Sequence, residues 1–174
     1  VPVTARPSTT DPARVAVREA RPADFEAIGT LAVAAYRALG GEPEAYLAEI
    51  HDTTARAVGA TVLVALDRSG VVLGTATYER HARTPVPGQV TADAASMRVL
   101  AVTPQAQGQG VGRALVEAVI ARARADGRNA LAIYTRPSMV AAHRLYASLG
   151  FERDSMADWQ FEPGEWLLGY RLGF

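Results

Sequence analysis

Gly108, Gly110 and Gly112 follow closely on the apolar run Val99-Leu100-Ala101-Val102 and its Thr103-Pro104. Glycines let a backbone approach an anion closely, and a helix that opens after such a turn presents the unpaired N–H groups of its first turn. Successive N–H groups of this kind form an anion-binding nest. The stretch therefore reads as a phosphate cradle. It is not a Walker loop, because no Lys-Ser or Lys-Thr follows the glycines, and the spacing G-x-G-x-G differs from the dinucleotide pattern G-x-G-x-x-G. Other groups suited to proton transfer are the Tyr146 hydroxyl and three candidates near strand ends: Glu79, His81 and Asp93.

The elements that must position these groups follow from pattern. Residues 15–18 suit a first strand. Phe25, Ile28, Leu31 and Ala35 recur at helical spacing until Gly40-Gly41 stops the helix, and a second helix is expected from Pro43 to about Ala57, with Tyr46, Leu47 and Ile50 on one face. Thr61 to Leu66 and Val71 to Glu79 read as strands joined by the turn Asp67-Arg68-Ser69-Gly70. Residues 83–88 read as a loop. Ala94 to Val102 is the strand that delivers the cradle, and the helix after it carries Val111, Leu115, Ala118 and Val119 on a core stripe until Asp126-Gly127. Ala130 to Thr135 is a further strand, parallel to the one before the cradle because a helix connects them. Ser138 is expected to N-cap a helix through Ser148. Two last strands, 151–161 and 166–172, turn at Pro163-Gly164.

Two blocks in this order, Gln107-x-x-Gly110-x-Gly112 and Leu145-Tyr146-Ala147-Ser148-Leu149-Gly150-Phe151, resemble the coenzyme A loop and the L-Y-x-x-L-G-F block of the GNAT N-acetyltransferases. The resemblance spans roughly residues 15–174, with 1–14 a flexible tail. It implies an α/β fold: a mixed, mostly antiparallel central sheet with helices on both faces. It also implies acetyl-CoA as co-substrate and no metal. The acetyl group would pass to a primary amine, of a small molecule or a protein, by direct attack in a ternary complex.

By the same resemblance, backbone N–H groups of Gly108, Gln109, Gly110, Val111, Gly112 and Arg113 take the pyrophosphate. Gln107 orders the loop and Arg113 adds positive charge. Leu100, Ala101 and Val102 lie beside the pantetheine arm, and the Leu100 N–H faces the thioester carbonyl. Tyr146 protonates the departing thiolate. The glutamate that many members place four residues before Leu100 is here Ser96, which leaves Glu79 first among the substitute bases, ahead of His81 and Asp93. The coenzyme-contacting asparagine common seven residues before Tyr146 is here Met139, with Ser138 a neighbour able to cover the loss. Arg144 either reaches the 3′-phosphate and adenine region or faces solvent; His143 and His51 read as helix-surface residues. Arg98, on the strand face of Ser96, either pairs with Glu79 or another acid or recognises an acidic acceptor. Tyr36, Glu42, Tyr46, His81, Asp158 and Trp159 are the candidates for the acceptor side.

The 174 residues suffice for one domain with a real core. Apolar residues are 49%, charged residues 21% and the formal net charge is zero, so a general nucleic-acid or membrane-surface role is not expected. All basic residues are arginines, and cysteine is absent, which removes thiolate nucleophiles and an acyl-enzyme on sulfur. A cytoplasmic protein is expected, with homodimerisation through the last hairpin in keeping with family habit. The rival readings are a non-catalytic acyl-CoA-binding or regulatory domain, favoured by Ser96, and an interaction module using the sheet edge.

Overall fold

The computed structural model describes residues 15–82 and 93–174. The expected tail and the expected loop at 83–88 lie outside the described residues. A single mixed sheet runs in the order β1-β2-β3-β4-β5-β8-β6, with β7 pairing β8 off that path. The strands are β1 (Ala16–Glu19), β2 (Thr61–Leu66), β3 (Val72–Glu79), β4 (Ala94–Val102), β5 (Ala130–Thr135), β6 (Glu152–Arg153), β7 (Trp159–Glu162) and β8 (Glu165–Gly173). Among the described residues only β4 and β5 pair in parallel; the other pairings are antiparallel. This is the expected mixed sheet, and the expected parallel pair is where the connecting helix requires it.

The helices are α1 (Phe25–Leu39), α2 (Glu44–His51), α3 (Thr53–Arg56), α4 (Val111–Ala125) and α5 (Val140–Ser148). One sheet face packs on α4 and α5: Leu63, Ala76, Ala95, Met97, Leu131 and Ile133 meet Val111, Leu115, Val119 and Tyr146 there. On α4 and α5 these residues recur at helical spacing, so their burial follows from the pattern. The opposite face packs on α1 and α2 through Leu31, Tyr36, Leu47, Ile50, Val99 and Ala101.

Three expectations need correction. The helix expected from Pro43 to Ala57 is broken at Asp52, whose carboxylate accepts the Ala55 N–H at 2.8 Å and so starts a new short helix. Ser138 does not cap α5: the helix begins at Val140, and Met139 takes the N-cap place without a side-chain bond. The strand expected over 151–161 is two short strands separated by a 3-10 turn at Ser155–Ala157, both borrowing β8 as partner.

Where α1 crosses α2 the backbones meet directly. A Cβ on Gly29 would press into the His51 carbonyl oxygen at the end of α2. This contact fixes how near Tyr36 on α1 lies to Tyr46 on α2. Gly29→Ala is expected to cost about 1–3 kcal/mol, the usual penalty of overpacking, read as a lowered urea midpoint. An unchanged midpoint would mean that α1 and α2 can part freely.

Candidate active site

The parallel ladder of β4 and β5 is short. It registers Ala94 with Ala130 through Met97 with Ile133 and then stops, although β4 continues to Val102 and β5 to Thr135. Beyond that point the two strands part. At the same place β4 carries a bulge. Thr77 registers with Arg98 and Thr75 with Ala101, so Val99 and Leu100 stand opposite Ala76 alone. Val99 has φ 52°, the one positive φ outside glycine among the described residues. A β-branched residue there is strained, a cost of order 1–3 kcal/mol that the surrounding packing must hold. The bulge also switches the strand's parity. Ser96 and Arg98 face the α1–α2 side, and so do Val99 and Ala101, while Leu100 and Val102 turn to the α4 side.

The glycine turn sits at the end of β4. Gly108 (φ 72°) and Gly110 (φ 83°) take left-handed backbone, and a Cβ on Gly108 would meet nothing within 4 Å. Gly110 is the N-cap of α4, and the Ala114 N–H is the first to bond back into the helix, at 2.9 Å to the Gly110 carbonyl. The N–H groups of Val111, Gly112 and Arg113 are therefore the helix's unpaired donors. Gly112 allows close packing instead, since a Cβ there would lie 3.4 Å from Leu145 and 3.8 Å from Val102. Gln107 holds the loop as expected, its Nε2 donating to the Val102 carbonyl at 3.3 Å, and Gln109 Nε2 donates to the Gln105 carbonyl at 2.6 Å. Arg113 reaches across to α5, donating to Ser148 Oγ at 2.7 Å. Ser138 and Arg144 are exposed.

Tyr146 is buried against Phe151 and Tyr170, ring centroids 5.6 and 5.9 Å away. Burial, with Tyr170 beside it, pushes its pKa well above the ordinary tyrosine value, so the hydroxyl keeps its proton at neutral pH. Tyr146 belongs to the α4-side core and Tyr36 to the α1-side core.

Glu79 stands directly across from Ser96 in the β3–β4 register, and Ser96 Oγ donates to its Oε2 at 2.7 Å in a buried pair. A carboxylate is thus present beside the Ser96 position, supplied by the neighbouring strand. Arg98 lies 3.6 Å from Glu79 and donates to Glu49 at 3.0 Å, so it takes the first of its two expected roles, pairing with acids.

Ser96, Met97, Arg98 and Val99 form the floor of a cleft of about 460 Å3 between the α1–α2 side, the end of β5 and the β7–β8 hairpin. Tyr36, Glu42, Tyr46 and Trp159, four of the residues considered for the acceptor side, line it. His81 and Asp158 do not. His81 and Glu79 line a separate hollow beside α3 with Arg56 and Arg98. Asp158 is taken up by Arg153, at 2.9 and 2.8 Å, and by the Gly169 N–H at 2.9 Å, which anchors the start of β7 next to Trp159. Two features carry no local sequence signal. Arg136 spans the cleft from the end of β5, its Nε 2.9 Å from Glu42 and its Nη1 3.0 Å from Glu165, with Phe161 under its guanidinium at 5.2 Å. His143, expected at the surface, is half-buried: its Nε2 donates to the Arg136 carbonyl at 3.1 Å and its ring stacks on Tyr170.

The profile of the Acetyltransferase (GNAT) family matches residues 19–151, which include the split strands, the glycine turn and Tyr146. The chain belongs to the GNAT family of acetyltransferases. The mycothiol acetyltransferase of Arthrobacter sp. (strain FB24) is 38% identical to it over 94 residues, 52% of this chain and 27% of that protein. The mycothiol acetyltransferase of Pseudarthrobacter chlorophenolicus is 38% identical over 97 residues, covering 54% and 28%. The matched stretch thus spans about a quarter of those relatives. Among solved structures, a GCN5-related N-acetyltransferase from Kribbella flavida superposes with TM-score 0.72 at 26% identity, over 94% of this chain and 100% of that one. The fold of yncA from Salmonella typhimurium, solved with its cofactor acetyl-CoA, matches with TM-score 0.66 at 24% identity, over 91% and 93%. Among the described residues no helix is long and apolar enough to cross a membrane.

The Arg153 hydrogen bonds hold the Asp158 carboxyl below the ordinary carboxylate range. A carboxylate with a depressed folded pKa stabilises fully above its unfolded value, and that stabilisation is lost as the pH falls through the folded value. Asp158→Asn is therefore expected to lower the urea midpoint at pH 7. The gap to the parent should hold down to about pH 4 and close below it. A gap that persists unchanged in strong acid would assign the Asn effect to something other than this ion pair.

Proposed function

We propose that this chain is an acetyl-CoA-dependent N-acetyltransferase acting on a primary amine by direct attack in a ternary complex. The observation that carries this reading is the juxtaposition at the end of β4: strands that part, a bulge, and a left-handed glycine turn opening α4. The residues suit the coenzyme, since the open space at Gly108 and the unpaired N–H groups of α4 match a pyrophosphate. The coenzyme supplies an acetyl group activated as a thioester.

In this reading the N–H groups from Gly108 to Arg113 hold the pyrophosphate. The segment Leu100-Ala101-Val102, which β5 leaves uncovered, offers its main chain to the amide-rich arm in the manner of an added strand. The Leu100 N–H donates to the acyl oxygen and steadies the charge that builds there. The acceptor enters the cleft and meets Ser96 first, because Ser96 lines the cleft and Glu79 does not. Ser96 passes the amine proton to Glu79 through their 2.7 Å hydrogen bond. The amine nitrogen bonds to the acetyl carbon as the carbon–sulfur bond breaks, and Tyr146 gives its proton to the sulfur.

The engagement of Glu79 by Arg98 at 3.6 Å and by Ser96 at 2.7 Å, which occupies this carboxylate with partners inside the fold, supports a second reading: a domain that binds acyl-CoA without turnover. Calorimetric titration with acetyl-CoA and assays of coenzyme A release separate the two. The parent is expected to bind acetyl-CoA, and Gly110→Glu, which sets bulk and negative charge in the nest, is expected to abolish binding. Failure of the folded parent to bind would end both readings. Among varied amines, Tyr146→Phe should lower kcat by about 100-fold with the fold intact, the range of a lost general acid. Glu79→Gln should also lower kcat about 100-fold at pH 7 and less at high pH, where the acceptor amine is already neutral. Coenzyme binding with no release over any amine would favour the second reading.

A further inference from the structure

The cleft is walled by rings. Tyr36, Tyr46, Tyr134, Trp159 and Phe161 line it; Tyr36 and Tyr46 meet edge to face at 5.9 Å, and Trp159 and Phe161 are tilted at 6.0 Å. Its floor at Ser96, Met97 and Val99 is the point where β4 leaves β5, so an amine on the floor leaves the rest of its molecule among these rings. A volume of about 460 Å3 suits one small molecule.

The charges around the cleft are already matched. Among the described residues its charged lining is Glu42, Arg98 and Arg136. Glu42, 5% exposed, is held at 2.9 and 3.1 Å by Arg136, which also binds Glu165. Arg98 lies between Glu49 and Glu79. A second ammonium on the acceptor would meet no unengaged carboxylate there. An acceptor carboxylate would have to draw a guanidinium away from two acids. Either charge would lose its hydration among ring carbons without a partner in return. A peptide acceptor would bring backbone amides into the same apolar walls. An aromatic ring, in contrast, can pack edge-on or offset against several of these side chains at once.

We infer that the acceptor is a small primary amine borne on an aromatic body with no second charge, an arylalkylamine. This assignment rests on the N-acetyltransferase reading and uses the same transfer: N–C bond formation, C–S bond cleavage, one proton to Glu79 and one from Tyr146.

The test pairs turnover with binding. Coenzyme A release is followed with phenethylamine, spermidine, glutamate and an alanine-starting hexapeptide at matched concentrations. Separately, phenethylamine is titrated into the protein alone while tryptophan fluorescence is recorded, with Trp159→Phe to assign the signal, since Trp166 is the other tryptophan. The expected result is a kcat/KM for phenethylamine at least about 10-fold above the other three, a saturable quench that Trp159→Phe removes, and a KM for phenethylamine raised about 10-fold in Trp159→Ala with the acetyl-CoA KM unchanged, in line with the loss of one aromatic anchor. Preference for spermidine, glutamate or the peptide overturns the assignment, as does acetyl-CoA binding without phenethylamine turnover. A saturable Trp159 quench in a protein that fails to bind acetyl-CoA supports the aromatic cleft and sinks the transferase reading instead; absence of both quench and turnover overturns the aromatic assignment.

Discussion

Everything about the site depends on a ladder that stops early. β4 and β5 are held in parallel by backbone bonds only as far as Met97 and Ile133, and each continues past that point without the other. A central sheet normally satisfies its backbone by continuous pairing. Here the interruption leaves a stretch of main chain facing an opening. That is how a cleft can have strand backbone for its floor.

The bulge at Val99 and the glycine turn complement this opening. The bulge lets Leu100 and Val102 pack towards α4 while Arg98 and Val99 both remain on the α1–α2 side. The turn then reverses the chain so that α4 begins beside the same opening. The walls are fixed by contacts that cross long sequence distances. Gly29 brings α1 onto α2, Asp158 anchors the start of β7, and Arg136 ties Glu42 to Glu165.

Much of this frame can be read from residue pattern. Thr61–Leu66, Ala94–Val102 and Ala130–Thr135 are strands with the expected bounds, because apolar runs of that length flanked by turn residues have few alternatives. The glycine turn and the core stripe of α4 are equally plain. The departures have no single cause. Asp52 caps where periodicity continues, Ser138 has the right type for a cap but does not bond, and β6 and β7 exist through β8. The Val99 bulge is invisible in sequence because a β-branched residue is a poor indicator of positive φ. Within the site, the Ser96–Glu79 pair is legible in part, since Glu79 ranks first among the carboxylates able to replace the one missing at Ser96. Arg136, whose partners lie 94 and 29 residues away, carries no local signal at all.

The extra residue in β4 has a consequence for how such a chain can change over time. Strand alternation has a period of two, so removing Val99 would restore regular pairing, with Leu100 alone opposite Ala76 on the α4 side and the bulge gone. A substitution within β4 alters one contact, whereas a one-residue deletion there removes the bulge that sets Val99 and Leu100 together opposite Ala76. Length in this segment is therefore under tighter constraint than composition, and variation in this architecture has room to accumulate in the identities of the cleft walls while the count of residues between Ser96 and Gly110 stays fixed.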